Sequence, residues 1–196
     1  MQITLLHYCS TSRIKRSTKR NRHEQKYHSM ARKSLTITLY MSELIYDFQN
    51  KAFLTGRSRR AASMDAEAAS NIQASDDDED KNQALRSIQN TYGQLLVELS
   101  ESVQTDNGTT ASNELINDST NIVINLSLPS NYPLALKDAL TSSIHDYIIN
   151  KALMDWFVIT NPNESKTYSE LSIAAIKNLH ETFNRRERPS RTATNV

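Results

Sequence analysis

Leu35, Ile37 and Leu39 alternate with Thr36 and Thr38, the period-two pattern of a short β-branched strand with one buried face. The period then changes. Ser42 is placed as an N-cap, and Leu44, Ile45, Phe48 and Ala52 follow at helical spacing up to Gly56, which reads as a stop. A second helix is predicted from the stripe Leu85, Ile88, Tyr92, Leu95, Leu96, Leu99 and Val103, interrupted only by Gly93. Asn107-Gly108 marks a turn. Ile122, Ile124, Leu126 and Leu128 then alternate as a second strand, ended by Pro129. Pro133 stands where a helix begins. That third helix carries Leu136, Leu140, Ile144, Tyr147, Ile148, Ala152 and Trp156 and stops before Pro162. A last helix holds Tyr168, Leu171, Ala175, Ile176, Leu179 and Phe183.

The pattern predicts a mainly α protein: a bundle of about four helices with two short β-strands and a disordered basic N-terminus. Roughly eighty residues separate the strands, so no tight hairpin joins them. They pair with each other under a cover of helices, or each pairs with a neighbouring subunit; a bare two-stranded ribbon is marginal in water.

Charge divides the chain further. Residues 1–33 carry nine Lys and Arg against the single acid Glu24. Asp65, Glu67, Asp76, Asp77, Asp78, Glu79 and Asp80 then come with no base among them, and Arg185, Arg186, Arg188 and Arg191 close the chain. Blocks of one sign mark solvated chain. The expected organisation is a basic segment over 1–33, a helical domain over 34–184 with an acidic loop at 61–81, and a basic tail over 185–196. Three readings fit the first segment: a phosphate-binding arm with Tyr8 and Tyr27 to stack, a mitochondrial presequence, or codons upstream of a start at Met30. The last fits best, because patternless sequence gives way to a strand directly after Met30-Ala31-Arg32-Lys33.

Candidate chemistry narrows the field. A lone cysteine, Cys9, rules out an intrachain disulfide and points to a reducing compartment. No run of apolar residues reaches the length of a membrane span, and no signal peptide is recognisable. His7, Cys9, His23 and His28 lack the spacing of a closed zinc site. Gly56, Gly93 and Gly108 build no phosphate loop. His145 and His180 have no nucleophile at a useful spacing, and the DDDED run lacks the ligand spacing of a calcium loop. The expectation is a non-enzymatic protein without metal or cofactor. Among the aromatics Tyr40, Tyr46, Phe48, Phe53, Tyr147, Trp156 and Phe157, most are expected in the core. Trp156 and Phe157 cannot both face inward from one narrow stripe, so one of them is a candidate interface anchor.

The segments "MARKSLTITLYMSELIYDFQNKAFLTGRSRR", "LPSNYPLALKDALTSSIHDYIINKALMDWF" and "RRERPSR" resemble a group of small phage and prophage structural proteins of gut Bacteroidales, over roughly residues 30–191. The resemblance implies a virion or virion-assembly role, located in the virion or the bacterial host cytoplasm, and brings no functional residues with it. The charge pattern adds the expectation of a head–tail connection (neck) or tail component, a homo-oligomeric ring bound to other virion proteins. Its candidate contacts are Arg57, Arg59 and Arg60, Asp76, Asp77 and Asp78, Trp156 and Phe157, and Arg185, Arg186 and Arg188, with opposite charges meeting across a subunit boundary. Two alternatives stand beside it: a nucleic-acid-binding accessory protein that uses the basic arm, and a small protein–protein adaptor.

Overall fold

The computed structural model describes residues 32–61, 66–74, 77–104, 108–111 and 119–188. The expected disordered N-terminus, the His7/Cys9/His23/His28 set, Asp76 and Arg191 lie outside them. Within them the chain is mainly helical, as the periodicity predicts. Its order is β1 (Lys33–Tyr40), α1 (Met41–Ala61), α2 (Ala66–Ile72), α3 (Asp78–Glu98), β2 (Asn121–Leu128), a single 3-10 turn at Leu134–Leu136, α4 (Lys137–Thr160) and α5 (Pro162–Phe183).

The two strands pair with each other, antiparallel, with Lys33 opposite Leu128 and Tyr40 opposite Asn121. Leu35, Ile37 and Leu39 turn inward against Ile122, Ile124, Leu126 and Leu128, all buried, while Ser34, Thr36 and Thr38 face out. The other edge of β2 is closed by the segment after α3. The Gln104 amide donates to the Asn125 carbonyl at 2.8 Å, and the Thr110 amide to that of Val123 at 2.9 Å. Gly108 sits in this strap at φ +79°, a left-handed backbone that a glycine adopts without strain.

α4 is the axis of the molecule. It packs on α5, α3, α1 and β1, so Leu140, Ile144, Tyr147, Ile148, Ile149, Ala152, Leu153, Trp156 and Phe157 are all buried although they span most of its circumference. A helix apolar nearly all round is an interior helix. A single residue, Asn161, turns the chain back into α5. Its side chain accepts from the Asn163 and Glu164 amides, with Pro162 in the first turn, where a proline sacrifices no helical hydrogen bond. The result is an antiparallel α4–α5 hairpin, held near its turn by the Phe157–Tyr168 ring contact at 5.1 Å.

Four boundaries differ from the sequence reading. α3 ends at Glu98, so Val103 of the predicted helical stripe lies beyond it and forms a bridge with Leu126 of β2. α1 runs through Gly56 to Ala61: a helical glycine costs only about 1 kcal/mol, and the last turns are fixed to α5 by Thr55–Tyr168 and Arg59–Glu164 contacts. The expected acidic loop 61–81 contains a helix, α2, and ends early, because α3 takes Asp78, Glu79 and Asp80 into its first turn. α2 is alanine-rich and seats Ile72 in the core at 1% exposure. Lys33, expected in the disordered segment, is the first residue of β1, and its ammonium donates to the Tyr132 carbonyl at 2.7 Å.

Candidate interaction surfaces

The predicted contact residues separate into three groups. Trp156 and Phe157 belong to the first and are core: 8% and 0% exposed. The indole Nε1 donates to the Ile72 carbonyl at 3.0 Å, and its ring meets Phe48 edge-on at 5.8 Å. The expectation of one outward anchor assumed one buried stripe, whereas α4 is enclosed on several sides. Neither residue is an interface anchor.

The second group lies where α1 ends, α3 begins and the α4–α5 turn passes. Arg59 is drawn inward. Its guanidinium pairs with the Glu164 carboxylate, Nε to Oε1 at 2.6 Å with a second nitrogen on the same oxygen. Glu164 is 6% exposed and lies in the first turn of α5, where the helix dipole also favours a carboxylate. Arg57 and Arg60 remain exposed, as do Asp77 and Asp78 at the entrance of α3. Asp77 takes the N-cap position there, without a side-chain cap bond.

The third group is gathered by the chain after α5. The Glu187 amide donates to the Asn131 carbonyl at 2.8 Å, and its carboxylate stands 3.5 Å from the Lys33 ammonium. Arg186 caps its own helix, donating to the Phe183 and Arg185 carbonyls. Arg185, Arg186 and Arg188 are exposed here, and Arg32 is exposed beside Lys33. Sequence reading missed this convergence, since about 150 residues separate its two halves. Beneath it Tyr132 is fully buried, and its hydroxyl finds no hydrogen-bond partner among the described residues. Burial pushes its pKa up, and Arg186 pulls against that shift.

These last two groups occupy opposite ends. α3 and α5 meet at their C-termini, where His180 Nε2 stands 3.5 Å from the Glu98 carboxylate. Each helix is 21 or 22 residues long, so the acidic entrance of α3 lies about 30 Å from the C-terminal arginines. Arg57–Arg60 share the acidic end and cannot supply the opposite pole.

The histidines have simple partners: His145 Nε2 lies 3.3 Å from Asp47, joining α4 to α1. Among the described residues no cluster of three His, Cys, Asp or Glu side chains could hold a metal ion, and no helix is long and apolar enough to cross a membrane. The aromatic set is divided. Phe48, Tyr147, Trp156 and Phe157 are core, so most of that set is buried as expected, while Tyr40, Tyr46 and Phe53 are exposed.

No family model, curated protein or solved structure matches this chain.

Proposed function

We propose that the chain is a non-enzymatic structural subunit that assembles by contact between copies and with other proteins, as a neck or tail component of a phage particle. The virion setting rests on the resemblance of residues 30–191 alone. The assembly mode rests on one observation: an acidic helix entrance at one pole and an arginine cluster at the other, about 30 Å away along helices of 21 and 22 residues. A body with complementary ends joins head to tail, and the repeated rotation closes a ring when it divides a full turn. Asp77 and Asp78 of one copy would then meet Arg185 and Arg188 of the next.

The test is light scattering at low salt. Asp77→Lys with Asp78→Lys should reduce the assembled mass, Arg185→Glu with Arg188→Glu should do the same, and mixing the two variants should restore assembly, because each pole of one then meets an opposite pole on the other. Unchanged mass in both variants overturns the reading.

A second reading is favoured by the basic pole itself. Arg32, Arg185, Arg186 and Arg188 sit together where the basic residues 1–31 join the domain, and such a patch suits a nucleic-acid backbone. It requires duplex binding that weakens steeply with salt, and that falls when Arg185 and Arg188 are reversed or residues 1–29 are deleted.

A further inference from the structure

The buried side of α1 is Met41, Leu44, Ile45, Phe48 and Ala52. Its opposite side is not the polar face expected of a surface helix. Tyr46, Phe53 and Leu54 stand 67%, 45% and 51% exposed. Glu43, Tyr46, Asn50, Phe53, Arg57 and Arg60 recur at spacings of three and four, all exposed, and form one continuous seam. The other large exposed apolar residues, among them Val97, Leu134 and Ile173, form no such row. Single exposures of that kind are ordinary.

Charge along the seam is ordered. Glu43 lies in the first turn, Arg59 and Arg60 in the last, and Asn50 sits at the midpoint between Glu43 and Arg57. A helix dipole accounts for acid at the start and base at the end. It does not account for two aromatics and a leucine left open between them.

We infer that this seam binds the same seam of a second copy, the two α1 helices running antiparallel across a two-fold axis near Asn50. An isologous contact must be self-complementary, and this one is. Glu43 of each copy faces Arg57 or Arg60 of its mate, Tyr46 meets Leu54, and the Asn50 carboxamides meet near the axis, where a polar residue in a seam fixes register. A parallel pairing would set Glu43 on Glu43 and Arg57 on Arg57, and like charges select against it. The surface is also hollowed where the argument needs it: Ser42, Glu43, Tyr46 and Asp47 line an open depression of about 340 Å³. The exposed Glu43 carboxylate suits an incoming guanidinium, while that of Asp47 stands 3.3 Å from His145 Nε2. This contact shares no residue with the pole-to-pole contact proposed above and stands or falls without it.

The test uses the full chain with its sole cysteine removed (Cys9→Ser). Asn50→Cys in that background should yield a dimer with a short bismaleimide, and Lys177→Cys on exposed α5 should not. By sedimentation equilibrium, Glu43→Arg should weaken the dimer about tenfold, since each substitution disturbs two symmetric ion pairs. Combining it with Arg57→Glu and Arg60→Glu should recover the loss. The pole variants should leave the Asn50→Cys cross-link intact. The inference is overturned if Asn50→Cys cross-links no better than Lys177→Cys. A monomer whose introduced thiol resists maleimide also overturns it, because the chain's own residues then cover the seam.

Discussion

Trp156 decides between core and contact surface, because the two roles differ in what its loss costs. The indole is 8% exposed, donates to the Ile72 carbonyl at 3.0 Å and meets Phe48 edge-on at 5.8 Å. Removing a buried tryptophan to alanine costs about 3–5 kcal/mol. Within that, the hydrogen bond contributes about 1 kcal/mol and the aromatic pair about 0.5–1.5 kcal/mol. Trp156→Phe keeps a ring beside Phe48 but orphans the Ile72 carbonyl and leaves a small void, so it should cost about 1–2 kcal/mol. Total stability for a domain is about 5–15 kcal/mol, so Trp156→Phe stays measurable if the alanine variant unfolds. Trp156 is the only tryptophan, so its fluorescence reports on this one site in the parent chain, and far-UV circular dichroism follows the variants in urea. A shift in midpoint without a change in slope is the expected signature. A cost under about 1 kcal/mol for Trp156→Ala, with lost association between subunits, would refute the core assignment and restore the interface anchor.

Three further outcomes follow from the same geometry. Arg59→Ala strips the counter-ion from Glu164 and should cost about 1–2 kcal/mol, less than a fully buried pair because Arg59 is half-exposed. Glu164→Gln should cost less, and a double-mutant cycle in urea that returns no coupling would dissolve the pair. Burial raises the Asp155 pKa above the ordinary carboxylate value, with Lys151 pulling it down. The folded chain therefore holds that proton more tightly than the unfolded chain does. The stability this provides is present below the unfolded pKa and is lost as pH rises through the folded pKa. Asp155→Asn should accordingly raise Tm at neutral pH and not at low pH; an equal change at both would contradict the assignment. Gly108→Ala meets open space, with Asn125 Nδ2 4.0 Å from the new Cβ, so only the φ of +79° is strained. The expected loss is about 1 kcal/mol, with faster amide exchange at Gln104 and Thr110; no loss would mean that the strap does not constrain the sheet.

What the sequence made legible was local and periodic. Leu35–Leu39 and Ile122–Leu128 declare strands because alternate residues must reach one core, and the α3 stripe declares a helix for the matching reason. The partner of each strand was not legible, since nothing in either segment encodes which β-branched neighbour, some eighty residues away, lies opposite. Trp156-Phe157 misled because a stripe argument presumes one wet side, and α4 has almost none. Gly56 misled because propensity is a weak local preference that two contacts to α5 override. Ala66–Ile72 was hidden by composition, its small residues resembling a linker until Ile72 and the Trp156 indole bind its end. The candidate contacts suffered most. Arg59 reads as free charge until Glu164, 105 positions on, arrives beside it, and Lys33 as tail until Tyr132 and Glu187 do.

The surfaces left after this accounting differ in symmetry, which bears on what the molecule can build. The proposed α1 seam is complementary to itself about a two-fold axis, so its product closes at two copies and leaves no free end of that kind. The poles are complementary only to each other, so every contact leaves another pole open until a ring closes. Arg57 and Arg60 of the seam stand at the acidic end, but the pole contact is made by Asp77, Asp78, Arg185 and Arg188, so seam dimers of head-to-tail rings would give a two-layered assembly with dihedral symmetry. The balance responds to salt unequally. Both contacts use exposed charge screened over about 8 Å at physiological ionic strength, but only the seam also buries Tyr46, Phe53 and Leu54. Raising salt should therefore dismantle rings first and leave dimers. If dimers vanish while larger assemblies persist, the division of roles between seam and poles is wrong.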